Sequence, residues 1–214
     1  MPAGGVASPS GPGPGMGAVV RAGVFGKLPA RGDFLRLGLP RDFVDAWDLW
    51  WQRGLLSVRE IAGEDWVAAW LEAPVWRFVL PPGLLGRDGV AGVWLPSVDR
   101  AGRYFPLTVA AVAPFDWAER PGDLHGFLAG AEQAGLDALE KDLDPDAVLG
   151  LAMAALEGSG GPAAQQQVVA ERGLAAWWTE GAPRVAPRAE RGRRLPEGRA
   201  FAGLIDDGWG VDRG

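Results

Sequence analysis

The chain has no cysteine and a single histidine, His125. Disulfides, thiol nucleophiles and Cys/His metal sites are thereby excluded. A Ser–His–Asp mechanism would have to run through His125 alone, and nothing around that residue resembles a triad. Lysine is nearly missing too: Lys27 and Lys141 are its two occurrences, so arginine carries almost all the positive charge. The formal net charge is −6 at pH 7, opposite to the basic excess of a protein that grips a nucleic-acid backbone. No apolar run approaches the length of a membrane-spanning helix, so none is expected. The opening MPAGGVASPSGPGPGMG has neither a charged leader nor an apolar stretch. It does not read as a secretory signal, and a cytoplasmic location is expected.

What is present suits one medium domain. Of 214 residues, 48% are hydrophobic and 22% charged, which allows a sizeable core. Eleven tryptophans supply bulk that pins cores and anchors interfaces. Residues 1–17, rich in Gly, Pro and Ser, cannot bury enough surface to offset the entropy of ordering and read as a disordered tail. Met16 is an alternative start that would leave the residues before it untranslated. Residues 18–214 form the domain, strand-rich over 18–114 and helix-rich over 115–214.

Within the domain, AVVRAGVF (18–25) reads as a first strand. A helix opens at Pro40 and carries Phe43, Val44, Trp47, Trp50, Trp51 and Leu55 at helical spacing. A short helix over 64–73 is stopped by Pro74. Strands follow at 75–80, 89–95 and 104–113, the last two joined as an antiparallel hairpin. Pro106 removes a donor near the start of the last, so that end is near an edge or not yet paired. Helices over 121–143 and after Asp144, with Asp144 as N-cap and Pro145 in the first turn, precede the loop GSGGPAAQQQ. A strand at 173–181 and a short helix in GRAFAGLI end the chain. Early strands, later helices and a returning strand imply an α+β fold.

Two loops concentrate charge. FGKLPARGDF (25–34) holds Lys27, Arg31 and Asp33; PSVDRAGRYF (96–105) holds Asp99, Arg100, Arg103 and Tyr104. The first is no phosphate-binding loop, because Leu28 follows Gly26-Lys27 and no glycine stands at the upstream spacing. Its RGD tripeptide arises readily by chance in a chain rich in Arg and Gly. The second reads either as a hairpin loop with an internal Asp–Arg pair or as a polar rim beside Tyr104 and Phe105 that suits a partner. Spacing leaves both open. The Trp47/Trp50/Trp51 stripe reads first as the buried face of an amphipathic helix and second as a ligand sandwich. Trp177 and Trp178 must face opposite sides of their strand. Asp144/Asp146 and Asp206/Asp207 have no partner motif and read as capping or solvent-facing groups. No catalytic, cofactor-binding or metal-binding residue is assigned.

The segments GVFGKLPARGDFLRLGLP, FVDAWDLWW, APVWRFVL, AGVWLPSVDRAGRYFPLT, WWTEG, RVAP and AFAGLIDDGW together, in this order, resemble the TagF/ImpM family of bacterial type VI secretion-associated proteins. The resemblance runs from about Gly23 to Trp209. It implies an antiparallel sheet flanked by helices, comparable to SNARE-like (longin-like) domains. It also implies a cytoplasmic, non-enzymatic accessory protein that represses type VI secretion post-translationally. The implied partner is the forkhead-associated scaffold protein, in a pathway that includes a PppA-type phosphatase. This chain departs from the family pattern in its Gly/Pro tail and in RAERGRR (188–194), where relatives carry a more apolar strand. That departure places the strand pairing in question and implies an exposed basic edge.

Two expectations follow for the loops. In one, they form a single docking surface of Lys27, Arg31, Asp33, Asp99, Arg100, Arg103 and Tyr104. In the other, they brace each other through buried Asp–Arg pairs, with Asp33 and Asp99 as the acids. The alternatives to a regulator are a longin-like adaptor with another partner and a hydrolase working through carboxylates.

Overall fold

The computed structural model describes residues 19–29, 32–158 and 170–210. The apolar runs become strands of one sheet: β1 (Arg21–Gly26), β2 (Leu35–Leu37), β3 (Trp76–Leu80), β4 (Gly89–Leu95), β5 (Leu107–Ala113), β6 (Ala175–Thr179) and β7 (Arg188–Gly192). Their order is β2-β1-β5-β4-β3-β6-β7, and every neighbouring pair is antiparallel. All positions of β4 and β5 are buried. Helices cover both faces there, so these strands read as continuous apolar runs rather than as alternation.

One face carries α1 (Arg41–Ala62), α2 (Trp66–Leu71) and α5 (Arg199–Ala202); the other carries α3 (Pro121–Glu140) and α4 (Pro145–Glu157). A last turn, α6 (Asp207–Gly210), packs on α5. The architecture is α+β, as the order of elements implied. The apolar stripe of α1 is buried at every position expected, Trp47, Trp50 and Trp51 included. Trp47 lies parallel to Trp177 at 6.0 Å. Its ring N–H donates to Thr108 Oγ1 at 3.0 Å, so the body is dry and the polar edge paired. Trp76 donates likewise to the Leu204 carbonyl at 2.8 Å. These rings are core. Trp177 sits beneath α1 while Trp178 packs on the opposite face, as alternation requires. Gly54 lets α5 close on α1, because an added Cβ there would lie 2.2 Å from the Phe201 ring.

The ends of elements differ from expectation in physically instructive ways. The first strand is displaced to Arg21–Gly26, and β2 lies in what reads as loop. The first helix continues past Leu55 to Ala62, where Gly63 at φ +58° ends it. β5 begins at Leu107 rather than at Tyr104, which forms an isolated bridge with Val98. Pro106 stands just outside the strand, and its carbonyl accepts from Lys27 N. The questioned stretch at 188–194 does pair, as edge strand β7 against β6. Asp144 caps α4 by accepting from Ala147 N at 2.9 Å. The tail, Arg31 and most of GSGGPAAQQQ lie outside the described residues.

Candidate functional site

The two charged loops meet, and a glycine makes this possible. Gly26 ends β1 at φ +124°, and a Cβ on it would fall 1.8 Å from the Pro106 carbonyl oxygen. Only a residue without Cβ tolerates that approach. The chain then turns Lys27 inward, and Ser97 Oγ donates to the Lys27 carbonyl at 2.9 Å. The other loop is folded around Asp99. Its Oδ1 accepts from the backbone N–H groups of Ala101 and Arg103, each at 2.9 Å, the usual way an Asp closes a turn on itself. Its Oδ2 receives Lys27 Nζ in a close ion pair and Arg103 Nε at 2.7 Å. Arg103 also donates through Nη2 to the Gly32 carbonyl, which ties the second loop back to the first.

Burial of the Asp99 carboxyl favours its neutral form, but the hydrogen bonds from Lys27 and from Arg103 outweigh it. They hold Asp99 well below the usual carboxylate range. The junction is graded. The Asp99 side chain is 0% exposed and Lys27 3%, whereas Arg103 is 60% exposed. An aromatic wall stands behind it: Phe34 meets Phe105 edge-on at 4.8 Å, and Lys27 Nζ lies 4.4 Å from the centre of the Phe34 ring. Tyr104 meets Trp66 edge-on at 5.0 Å, and the Arg59 guanidinium covers Trp66 at 4.5 Å.

Lys27, Asp99 and Arg103 are thus brought together, with Tyr104 alongside. Arg100 is exposed on the same loop and makes no ion pair among the described residues. Asp33 corrects the bracing expectation: it is exposed and makes no ion pair among the described residues, so it is not a buried acid of the junction. The buried partner of Asp99 is a lysine, with Arg103 as the outer cation. Arg31 lies outside the described residues.

Sequence reasoning missed the groove next to the junction. A depression of about 400 Å³ runs between the loops and α1, bordered by Phe34, Gln52, Leu55, Leu56, Arg59 and Tyr104. Phe34 is 42% and Leu56 59% exposed. The available signal was Leu56 itself, which, like Leu49, is an apolar residue on the outward side of an amphipathic helix. Also missed was Arg184, which joins Asp65, Glu72 and Asp206. The acidic pair Asp206/Asp207 is structural: Asp206 meets Arg184, and Asp207 meets Arg188 and accepts from Ala186 N at 2.8 Å. His125 lies on α3, across the sheet from α1. Among the described residues no group of three or more His, Cys, Asp or Glu could hold a metal ion. No described helix is long and apolar enough to cross a membrane.

Residues 23–155, which include both loops and the groove, match the family model of the TagF N-terminal domain, described as type VI secretion system-associated. The chain belongs to the TagF family. It is accordingly a type VI secretion-associated protein. The chain is also similar to the crystal structure of PA0076 from Pseudomonas aeruginosa PAO1: TM-score 0.69, 31% identity, 87% of this chain and 94% of that chain covered. No curated protein matches this chain.

Proposed function

We propose that this TagF-family protein is a cytoplasmic, non-enzymatic repressor that docks on the forkhead-associated scaffold of the type VI system through its two-loop junction. The observation that supports docking is the graded burial of one ion-pair set. Lys27 and Asp99 are sealed, while Arg103, bonded to the same Asp99 oxygen, stays 60% exposed. A buried pair fixes the loops, and a partly exposed arginine on a fixed loop is a ready carboxylate ligand at low entropic cost. Repression then requires that the protein bind the inactive scaffold more tightly than the active one; each ~1.4 kcal/mol of difference shifts the ratio about tenfold. The PppA-type phosphatase pathway named by the family resemblance acts on the same apparatus in this reading.

The test is affinity recovery of the full chain from cells carrying the secretion cluster, probed for the scaffold. Recovery with the natural chain, and loss of it with Arg103→Ala, is the expected result. Equal recovery with both proteins refutes the junction as the docking face, and no recovery with either refutes the scaffold as partner.

A further inference from the structure

The groove beside the junction has a chemical character that the docking proposal does not specify. Its floor is apolar, from Phe34, Leu55 and Phe105, and Leu56 stands exposed at its edge. Its charges are not balanced. Asp48, the carboxylate in its lining, meets Arg36 through Oδ2 at 3.0 Å, a cation it shares with Asp45, and its buried Oδ1 has no partner among the described residues. Asp99 is shared by Lys27 and Arg103, so that set retains one positive charge in excess. Arg59 makes no ion pair among the described residues; its guanidinium carbon lies over the Trp66 ring, 4.5 Å from the centre. A cation over a ring face spends no N–H donor on that contact. Arg103 uses Nε and Nη2 on Asp99 and Gly32 and makes no bond through Nη1 among the described residues. A positive, apolar groove therefore sits on a chain whose formal net charge is −6.

From this we infer that the groove binds a short acidic peptide segment of the partner, with one or two large apolar side chains seated over Phe34 and Leu56 and flanking carboxylates held by Arg59 and Arg103. This rests on the reading of the junction as a docking face and names the chemistry it selects. The depression has the size of a pocket for a few side chains. Charge complementarity decides among occupants. A nucleic acid, gripped mainly through its phosphate backbone, would gain little from an apolar floor. The second groove, on the other side of α1, is bordered by Leu49, Arg53, Leu195 and Glu197. It holds one cation and one carboxylate, against two cations and one carboxylate in the first, and selects neither sign.

The experiment is fluorescence anisotropy of the full chain with two labelled octapeptides. One has a Leu and a Phe among six Glu; the other has the same apolar pair among six Lys. The Glu peptide is expected to bind saturably and to weaken as salt screens the arginines. Its binding should fall about tenfold or more with either Arg59→Glu or Leu56→Glu, and stay unchanged with Leu49→Glu. All three residues are exposed, so thermal melting of Leu49→Glu and Leu56→Glu should match the natural chain, and Arg59→Glu, which loses the contact with Trp66, should melt only slightly lower. Equal binding of the Lys peptide, no saturable binding of the Glu peptide, or indifference to Arg59→Glu overturns the inference. So does a dimer in sedimentation that Leu56→Glu dissociates, since a second copy would then be the occupant. Scaffold recovery run on the same variants separates the two levels. Scaffold retained by Leu56→Glu while the peptide is lost refutes the groove and leaves the regulator. Peptide bound while the natural chain recovers no scaffold refutes the regulator and leaves the groove.

Discussion

Two arginines tie this fold together across long stretches of chain, and they do so in opposite ways. Arg184 is engaged on all three nitrogens: Nε meets Glu72 at 2.7 Å, Nη1 meets Asp65 at 2.6 Å and Asp206 at 3.2 Å, and Nη2 returns to Asp65 at 3.2 Å. Three carboxylates surround one cation, and its backbone carbonyl also accepts from Asp207 N. The Asp65 hydrogen bond, with those of Glu72 and Asp206, raises the Arg184 pKa further, and the Asp65 carboxyl is lowered in turn by its bond to Arg184. Arg103 is the reverse case. Two cations share one buried carboxylate, and the outer one, next in sequence to the groove residue Tyr104, makes no bond through Nη1 among the described residues. Charge at a loop junction therefore does not define a site by itself. What separates the two is the sign of the surplus and whether a donor is left over next to surface that a partner can dry.

The two junctions should respond differently to substitution and to acid. Asp99→Ala should have the largest effect. It strands Lys27 as a buried, unpaired charge and leaves the N–H groups of Ala101 and Arg103 without their acceptor. Removing one partner of a buried pair costs about 3–5 kcal/mol, readable in urea unfolding. The acid limb of stability comes next. Asp99 is held below its unfolded value of about 3.9, so its contribution is complete above that pH and falls away as pH drops towards the depressed folded value. Urea midpoints between about pH 2 and 5 should slope down with acid in the natural chain. In Asp99→Asn the slope should be flatter. A slope unchanged by the substitution would mean that other carboxylates govern acid unfolding. Arg184→Ala should lower the melting temperature by less than Asp99→Ala, and the difference from the natural chain should shrink in high salt, because Asp65 and Glu72 are about half exposed. A salt-independent loss would place Arg184 among the packing residues instead.

Much of the scaffold was legible because it rests on local periodicity. The α1 stripe, the apolar β4 and β5, the Asp144 cap and the opposed Trp177 and Trp178 all follow from spacing within a few residues. The edges were not legible: β2 is three residues long and β7 is RAERG, and edge strands facing water need no apolar pattern. At the site, the sequence identified both loops and three of the paired residues. It could not pair Lys27 with Asp99 across 72 positions, nor show that Asp33 would stay outside the pair. Arg59 and Leu56 were hidden for another reason. On a helix whose inward face announces itself, the outward residues mean something only once neighbouring loops have built a groove against them.

The most direct test of the account is a paired measurement on Arg103→Ala. Asp99 keeps Lys27 and two backbone donors in this variant, and the Arg103 side chain is 60% exposed, so the stability loss should be about 1 kcal/mol. Scaffold recovery from cells with the secretion cluster should disappear. A protein destabilised as badly as Asp99→Ala that still recovers the scaffold in full would show the junction to be a brace and nothing more.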